Sequence, residues 1–427
     1  MELAAKQNID LAKGNHATVV KELGRGGQGI VYLVDVDGKQ MALKWYPKPP
    51  AGGFYKNLQR NVHDGAPSEA FIWPEDLTVK SNGCFGYLMR LRPEGYSEFG
   101  SFLLAKARFK SFDAMFTAAM KICDGFRLLH LHGYSYQDLN DGNFFINPET
   151  GDVLICDNDN VMAEGEQSGI MGKARYMAPE VVAGGKPNKY SDRFSLSVLL
   201  FMLFFANHPF EGSRVSDCPC MTEDFEKKFY GSEAVFIFDP VNRYNRPVPG
   251  KHINAIKRWP IFPKVLKDAF ASELSQEKLK NPTKRIIEGE WEKIIARARD
   301  ELIVCPYCKK ETFVDPANGL TECMDCGKKI HATKVLSIAA QPGSRDIQLT
   351  PGSRIFIDRD TVPEAAVEND SNGIMVIRNI SSEKWTVETP SGKVKLVDPR
   401  GIMPAKEGLK ICFKVKGSDY KAVIKSN

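Results

Sequence analysis

From Thr18 to Trp45, β-branched and polar residues alternate around a cluster of glycines. This rhythm predicts strand, loop, strand, a turn at Asp37-Gly38 and a further strand, so a β-rich lobe is expected over residues 18–92, behind an N-terminal extension at 1–17. The period then changes. Between Ser111 and His132 the apolar positions Met115, Ala118, Ala119, Ile122, Phe126 and Leu129 fall on one helical face, and helical spacing returns over Lys264–Ser275 and Glu288–Arg299. Residues 93–301 therefore read as a mainly helical lobe. Beyond His331, short Val/Ile/Phe-rich runs at Arg354–Ile357, Ile374–Ile377, Lys384–Val387 and Ile411–Val415 alternate with Gly, Pro, Asn and Asp turns. They predict a small β-sandwich over residues 335–427. The fold class is α+β, with a cysteine-bearing link at 302–334 leading into an all-β tail.

The longest apolar run, Phe194–Ala206, is shorter than the roughly 18–20 residues that cross a bilayer, and it fits a buried core helix. Met1–Gly14 breaks its short apolar runs with Glu2, Lys6, Asp10 and Lys13, unlike a secretory signal. At 427 residues the chain exceeds one ordinary core, and 43% hydrophobic with 26% charged residues is a globular composition. The net charge of +5 is spread among acidic residues, with no basic stripe to follow a phosphate backbone. Neither nucleic acid nor membrane is expected as a partner. Ten cysteines, four of them in two Cys-x-x-Cys pairs, suit a reducing compartment, so the expected location is cytoplasmic.

The candidate chemistry begins at Leu23–Tyr32, where Gly24, Gly26 and Gly29 form G-x-G-x-x-G. Glycines let the backbone approach phosphate oxygens and offer N–H donors. A Rossmann turn would continue as helix, whereas Val31-Tyr32-Leu33-Val34 continues as strand. Lys44 closes the next apolar strand, Met41-Ala42-Leu43-Lys44. Further on, Tyr136–Asn143 precedes the apolar run Phe144-Phe145-Ile146. Phosphoryl transfer needs a group to orient the incoming hydroxyl and oxygen ligands for Mg²⁺, and Asp138 and Asn143 supply both. The strand Val153–Cys156 then delivers Asp157-Asn158-Asp159, where a hard carboxylate suits Mg²⁺. Taken singly, each motif is also compatible with a plain hairpin.

In order, the Lys44 strand, the Asp138-to-Asn143 loop, the strand-borne Asp157 and Met177-Ala178-Pro179-Glu180 resemble the eukaryotic-like (Hanks-type) Ser/Thr protein kinase family. Asp192-Arg193-Phe194-Ser195-Leu196 and Arg285 extend the likeness over residues 18–300. The resemblance implies a bilobal kinase fold, N-lobe 18–92 and C-lobe 93–301, with ATP and Mg²⁺ as cofactors and proteins as substrates. Lys44 would hold the α- and β-phosphates, Asp138 would be the catalytic base, and Asn143 and Asp157 would bind Mg²⁺. Met89 would be the gatekeeper, Arg90 and Leu91 would begin the hinge that meets adenine, and Val31, Ala42 and Phe145 would sandwich the ring. Arg285 resembles the arginine that pairs with the glutamate of the Ala-Pro-Glu element, here Glu180. Phe236–Pro240 through Arg258-Trp259-Pro260, with a metal ribbon behind, resembles a bacterial subgroup from tellurite-resistance-like clusters. Its implied partners are a PP2C-type phosphatase and a von Willebrand A-domain protein.

The sequence also departs from that family. Tyr136-Gln137 stands for His-Arg, Asn158-Asp159 for Phe-Gly, Asn140 for the lysine two residues after the base, and Lys173 for a threonine. If the family fold holds, Lys173 faces Asn140 across Asp138 and either replaces the missing ammonium, as a third catalytic residue, or points to solvent as surface lysines do. The helix expected near Tyr55–Asp64 lacks a glutamate for Lys44, with Asp64 or Glu69 as candidate substitutes. These departures support a second reading, a pseudokinase acting as a nucleotide-binding scaffold. A small-molecule phosphotransferase is disfavoured by Met177–Glu180. Gln137 in place of a phosphate-gripping arginine, and Ser168 as the only Ser or Thr between Asp157 and Glu180, predict activity without activation-segment phosphorylation.

Cys305, Cys308, Cys323 and Cys326 have the spacing of two knuckles converging on tetrahedral Zn²⁺. Four thiolates leave no open position, so such a site is structural. The tail resembles a forkhead-associated (FHA-like) sandwich in size and strand rhythm. Its Gly352-Ser353-Arg354 is a poor stand-in for that family's phosphothreonine pocket, so the tail is expected to dock a partner, a substrate or the chain's own lobes.

Overall fold

The computed structural model describes residues 2–27, 29–48, 53–167, 172–340 and 344–427. Gln28 and Ser168 lie outside the described residues.

The first lobe is built on a six-stranded antiparallel sheet of β1 (Asn8–Asp10), β2 (His16–Arg25), β3 (Ile30–Val36), β4 (Lys39–Tyr46), β5 (Asp76–Leu77) and β6 (Phe85–Met89), in the order β1-β2-β3-β4-β6-β5. Alternation sends Ile30, Tyr32 and Val34 of β3 and Met41, Leu43 and Trp45 of β4 into one apolar cluster. Asn8–Asp10, expected in an extension ahead of the lobe, pairs with His16–Thr18 and forms the sheet edge. Helix α1 (Phe54–Asp64) covers the opposite face, packing Phe54 and Leu58 against Tyr46, Phe85 and Tyr87.

The second lobe packs α2 (Phe112–Leu131), α3 (Lys189–Phe205), α4 (Lys264–Glu273) and α5 (Glu288–Asp300) around one core that includes Phe116, Phe126, Leu199, Phe204, Phe270 and Trp291. The Ser111 side chain accepts from the Ala114 N–H and starts α2, and a reciprocal Asn188/Ser191 capping box starts α3. The long apolar run lies inside α3 and is buried on every side, as its composition predicts. Between α2 and α3, β7 (Phe144–Ile146) and β8 (Val153–Ile155) form the hairpin whose ends carry Asn143 and Asp157.

Two small hairpins follow, Leu302–Val304 with Glu311–Phe313 and Leu320–Glu322 with Lys329–His331, each carrying one Cys-x-x-Cys pair in its turn. The tail consists of two antiparallel sheets. One has six strands in the order Ser344–Leu349, Lys334–Ala339, Ser418–Ser426, Lys410–Val415, Trp385–Glu388, Val394–Val397; the other has four, Arg354–Ile355, Ala365–Asn369, Met375–Asn379 and Ile402–Pro404. Their inner faces enclose Trp385, Phe413, Ile355 and Ile377. The run expected as strand to Ile357 leaves the ladder after Ile355, because the chain turns at Asp358, whose φ is 52°.

The tail is docked. Arg345 pairs with buried Asp300 at 2.9 Å and Arg359 with Glu292 at 2.8 Å, both partners standing on α5. Gly352 faces the link, where a Cβ would lie 3.1 Å from the Val304 side chain.

Candidate active site

The glycine loop joins β2 to β3, with Gly24 opposite Val31 and Gly26 N–H donating to the Gly29 carbonyl at 3.0 Å. Among the described residues, a Cβ at Gly24 or Gly26 would meet nothing within 4 Å, whereas one at Gly29 would lie 2.6 Å from the Trp45 carbonyl oxygen. Gly29 is therefore demanded by packing against β4, and the other two leave open space of the kind a phosphate needs. One strand further in, Ala42 stands opposite Met89 in the β4/β6 register, and Arg90 and Leu91 follow directly. Phe145 lies on β7, half-buried, with the Arg92 guanidinium 4.0 Å from its ring centroid.

Lys44, buried in the middle of that register opposite Tyr87, donates to Asp157 and to Asp159 Oδ2, the second at 2.7 Å. Burial works against its charge, but Asp159 and Asp157 outweigh it and raise the pKa above the ordinary lysine value. The carboxylate that replaces the missing helix glutamate is thus Asp159, not Asp64 or Glu69. Asp64 instead accepts from the Tyr134 hydroxyl, and the Glu69 carbonyl from Arg90. Asp159 is fully buried, also accepts from the Tyr46 hydroxyl, and leaves Oδ1 without a hydrogen-bond partner among the described residues. Helix α1 contributes amides where a carboxylate was expected: Asn57 and Asn61 donate to the Val161 carbonyl at 2.9 and 3.2 Å. The helix is bolted to the segment that carries Asp159, not to Lys44 itself.

Asp138 stands at the start of the loop into β7. Burial and the nearby Asp157 charge push its pKa up to about 6, against a hydrogen bond from Asn140 and the Lys173 charge. The Asn143 amide nitrogen donates to the Asp138 carbonyl at 2.8 Å, which leaves the amide oxygen as its available ligand atom. Asp157 takes a left-handed backbone, φ 60° and ψ 45°, and its carboxylate is pushed upward in pKa by burial and by Asp159. One lysine thus faces the carboxylates of Asp157 and Asp159, with Asp138 close by. An added cation would relieve that excess, so the donor set of Asp157 and Asn143 fits Mg²⁺.

Lys173 reaches across to Asn140 Oδ1 at 3.3 Å and lies 3.7 Å from Asp141, with most of its side chain exposed. Gln137 donates to the Glu166 carbonyl at 2.8 Å and to Ser135 Oγ at 3.0 Å, and Arg60 of α1 pairs with Glu166 at 2.7 Å. The segment after Asp157 is therefore held by neutral and ionic contacts already present. Arg285 forks onto Glu180 with bonds of 2.7 and 2.8 Å, the pairing expected from the sequence.

A buried cluster that sequence reasoning missed lies behind the loop. His130 on α2 bridges Asp192 at 3.1 Å and Glu288 at 2.9 Å, and Arg193 adds a bond to Glu288 at 2.8 Å. Asp192 accepts from the N–H groups of Tyr136 and Gln137 at 2.7 and 3.2 Å, fixing the backbone just before Asp138. No local signal marks His130, whose partners are distant in sequence. Asp159 was visible as a departure from the family pattern, but its role as partner was not.

In the link, Cys305 Sγ lies 3.8 Å from Cys326 Sγ and Cys308 Sγ 3.6 Å from Cys323 Sγ, with all four sulfurs within 4.8 Å of one another. Zn–S bonds of about 2.3 Å give a tetrahedral edge of about 3.8 Å, so the four thiols fit Zn²⁺.

A family model described as protein kinase domain matches residues 95–238. Mouse protein kinase C delta type is 35% identical over 205 residues, covering 46% of this chain and 30% of that protein. Protein kinase YegI of Escherichia coli K12 is 25% identical over 225 residues, covering 48% of this chain and 35% of that protein. A probable serine/threonine-protein kinase of Schizosaccharomyces pombe is 29% identical over 120 residues, 25% of this chain and 15% of that one. The chain spans about a third of the length of the first two relatives. Residues 95–238 are thus similar to a protein kinase domain, with serine/threonine kinases among the relatives, and the four-cysteine cluster follows. Among the described residues, no helix is long and apolar enough to cross a membrane.

Proposed function

We propose that the chain is an ATP-dependent kinase that transfers the γ-phosphate to Ser or Thr of protein substrates, with Asp138 as base. Lys44 holds the α- and β-phosphates under the glycine loop, and Asn143 and Asp157 hold Mg²⁺, which neutralises phosphate charge when bound. Val31, Ala42, Met89, Arg90, Leu91 and Phe145 receive the adenine. Lys173 supplies the cation that Asn140 lacks. The observation that carries this reading over a pseudokinase is the Lys44–Asp159 pair. The helix glutamate, one of the groups whose absence argued against activity, has a replacement of the same charge at 2.7 Å. The four cysteines hold one structural Zn²⁺, and residues 335–427 are an FHA-like docking module behind the ribbon at 302–334. The kinase is of the bacterial, cytoplasmic subgroup, and a PP2C-type phosphatase and a von Willebrand A-domain protein are its proposed partners.

Transfer from γ-labelled ATP to a generic protein substrate tests the activity. The wild type is expected to label the substrate, and Asp138→Asn and Asp157→Asn to abolish labelling. Nucleotide binding without turnover in the wild type would favour the scaffold. Elemental analysis is expected to find about one zinc per chain; a metal-free protein of unchanged stability after Cys323→Ser would refute the ribbon.

A further inference from the structure

A cleft of about 980 Å³ lies away from the phosphate-facing residues, where α2, α5, the cysteine-bearing link and the four-stranded tail sheet meet. Phe102, Phe109, Phe112, Phe262, Leu302 and Phe356 contribute apolar wall. A charge sits among them. Arg299 of α5 is 4% exposed, and its guanidinium packs 3.7 Å from the Phe356 ring centroid. One nitrogen donates to the Asp360 carbonyl at 2.8 Å, while Nε and Nη1 have no hydrogen-bond partner among the described residues. A buried cation with unpaired N–H groups is costly, and the cost falls when an anion accepts from them.

The surrounding carboxylates are already engaged. Asp300 holds Arg345 at 2.9 Å, Glu311 accepts from the Phe112 N–H, and Asp360 pairs with Lys416. Asp113 also lines the cleft. It has Arg354 at 3.7 Å and one oxygen, Oδ1, without a hydrogen-bond partner among the described residues. At the rim, Arg108, Lys309, Lys310 and Arg354 outnumber Asp325, and Lys110 pairs with Glu149. Burial and the Arg345 charge lower the Arg299 pKa to about 10, which still leaves the group cationic near neutrality.

We propose that this cleft binds an organic anion with an apolar body, its carboxylate or phosphate taken by Arg299 and a neighbouring hydroxyl or amine donating to Asp113. Positive excess, aromatic walls and two groups of opposite kind, each with polar atoms that lack a hydrogen-bond partner among the described residues, all point to that chemistry. The bound molecule would touch the helical lobe, the link and the tail together, so its binding would stabilise their docking by mass action. This does not depend on the transfer activity.

Binding of 3-phenyllactate, phenyl phosphate and neutral 3-phenylpropanol to the full chain, measured by calorimetry and thermal shift with ADP and Mg²⁺ saturating, tests the proposal. At least one anion is expected to bind and raise Tm, and the alcohol to do neither; the better anion tells carboxylate from phosphate. Arg299→Met and the exposed-site variant Arg354→Glu should each weaken binding about tenfold or more. Arg354→Glu keeps the test decisive if Arg299→Met fails to fold. The proposal is overturned if neither anion binds at millimolar concentration, if the alcohol binds as tightly, or if the folded variants bind like the wild type.

Discussion

Two buried charge clusters flank the loop that carries Asp138, and they are built to opposite rules. In front, Lys44 faces Asp157 and Asp159, and one oxygen of fully buried Asp159 has no hydrogen-bond partner among the described residues. Behind, His130 and Arg193 face Asp192 and Glu288, two cations for two carboxylates, all nearly buried. Burying unbalanced charge is costly, and balanced, hydrogen-bonded charge much less so. The balanced cluster therefore fixes the backbone, whereas the proposed function has a cation and phosphates complete the unbalanced one. On that proposal, the distinction separates buried charges that hold the fold from those that take part in chemistry.

The comparison can be broken most severely at the front. Lys173→Met is expected to lower kcat roughly ten- to a thousand-fold, as for loss of one electrostatic stabiliser, with little change in ATP affinity. Asn140→Lys combined with Lys173→Thr should recover part of the rate. Steady-state kinetics reads both, and an unaltered kcat in Lys173→Met would remove Lys173 from the mechanism.

A smaller effect is expected from behind. Burial opposes the charge on His130, but its hydrogen bonds to Asp192 and Glu288 raise its pKa from 6.5 to about 9, and Glu288 falls from 4.5 to about 2. A folded-state pKa above the unfolded one contributes stability that is complete below pH 6.5 and lost as pH rises through about 9. Depressed Glu288 contributes stability that is present above pH 4.5 and lost as pH falls through about 2. Urea midpoints across the alkaline window should fall in the wild type and change much less in His130→Gln. Equal slopes would contradict the cluster's role.

Smallest of all is the response to dephosphorylation, expected to be nil. Gln137 already holds the Glu166 carbonyl at 2.8 Å. Phosphatase treatment or Ser168→Ala that abolished transfer would refute this.

Legibility in the sequence followed chain distance. The glycine loop, the Asp138-to-Asn143 spacing and the two Cys-x-x-Cys pairs are local, and the structure brings the cysteines together as their spacing predicts. The Glu180–Arg285 pair is distant, yet family resemblance supplied it. The partner of Lys44 was not readable, because Asp159 lies 115 residues further along the chain and stands where the family has glycine. Likewise, strand alternation marked the tail as β, but nothing in it announced that Arg345 and Arg359 would reach Asp300 and Glu292 on α5. Only tertiary packing decides such pairs.

Central to this account is that Asp159 does for Lys44 what a helix glutamate does elsewhere, in an enzyme that turns over. The most direct measurement is the rate of γ-phosphate transfer by wild type and Asp159→Asn side by side, with ADP affinity recorded for each. Transfer by the wild type, reduced at least tenfold in Asp159→Asn while ADP still binds, is the predicted result. An inactive wild type, or an Asp159→Asn enzyme with undiminished transfer, would contradict it.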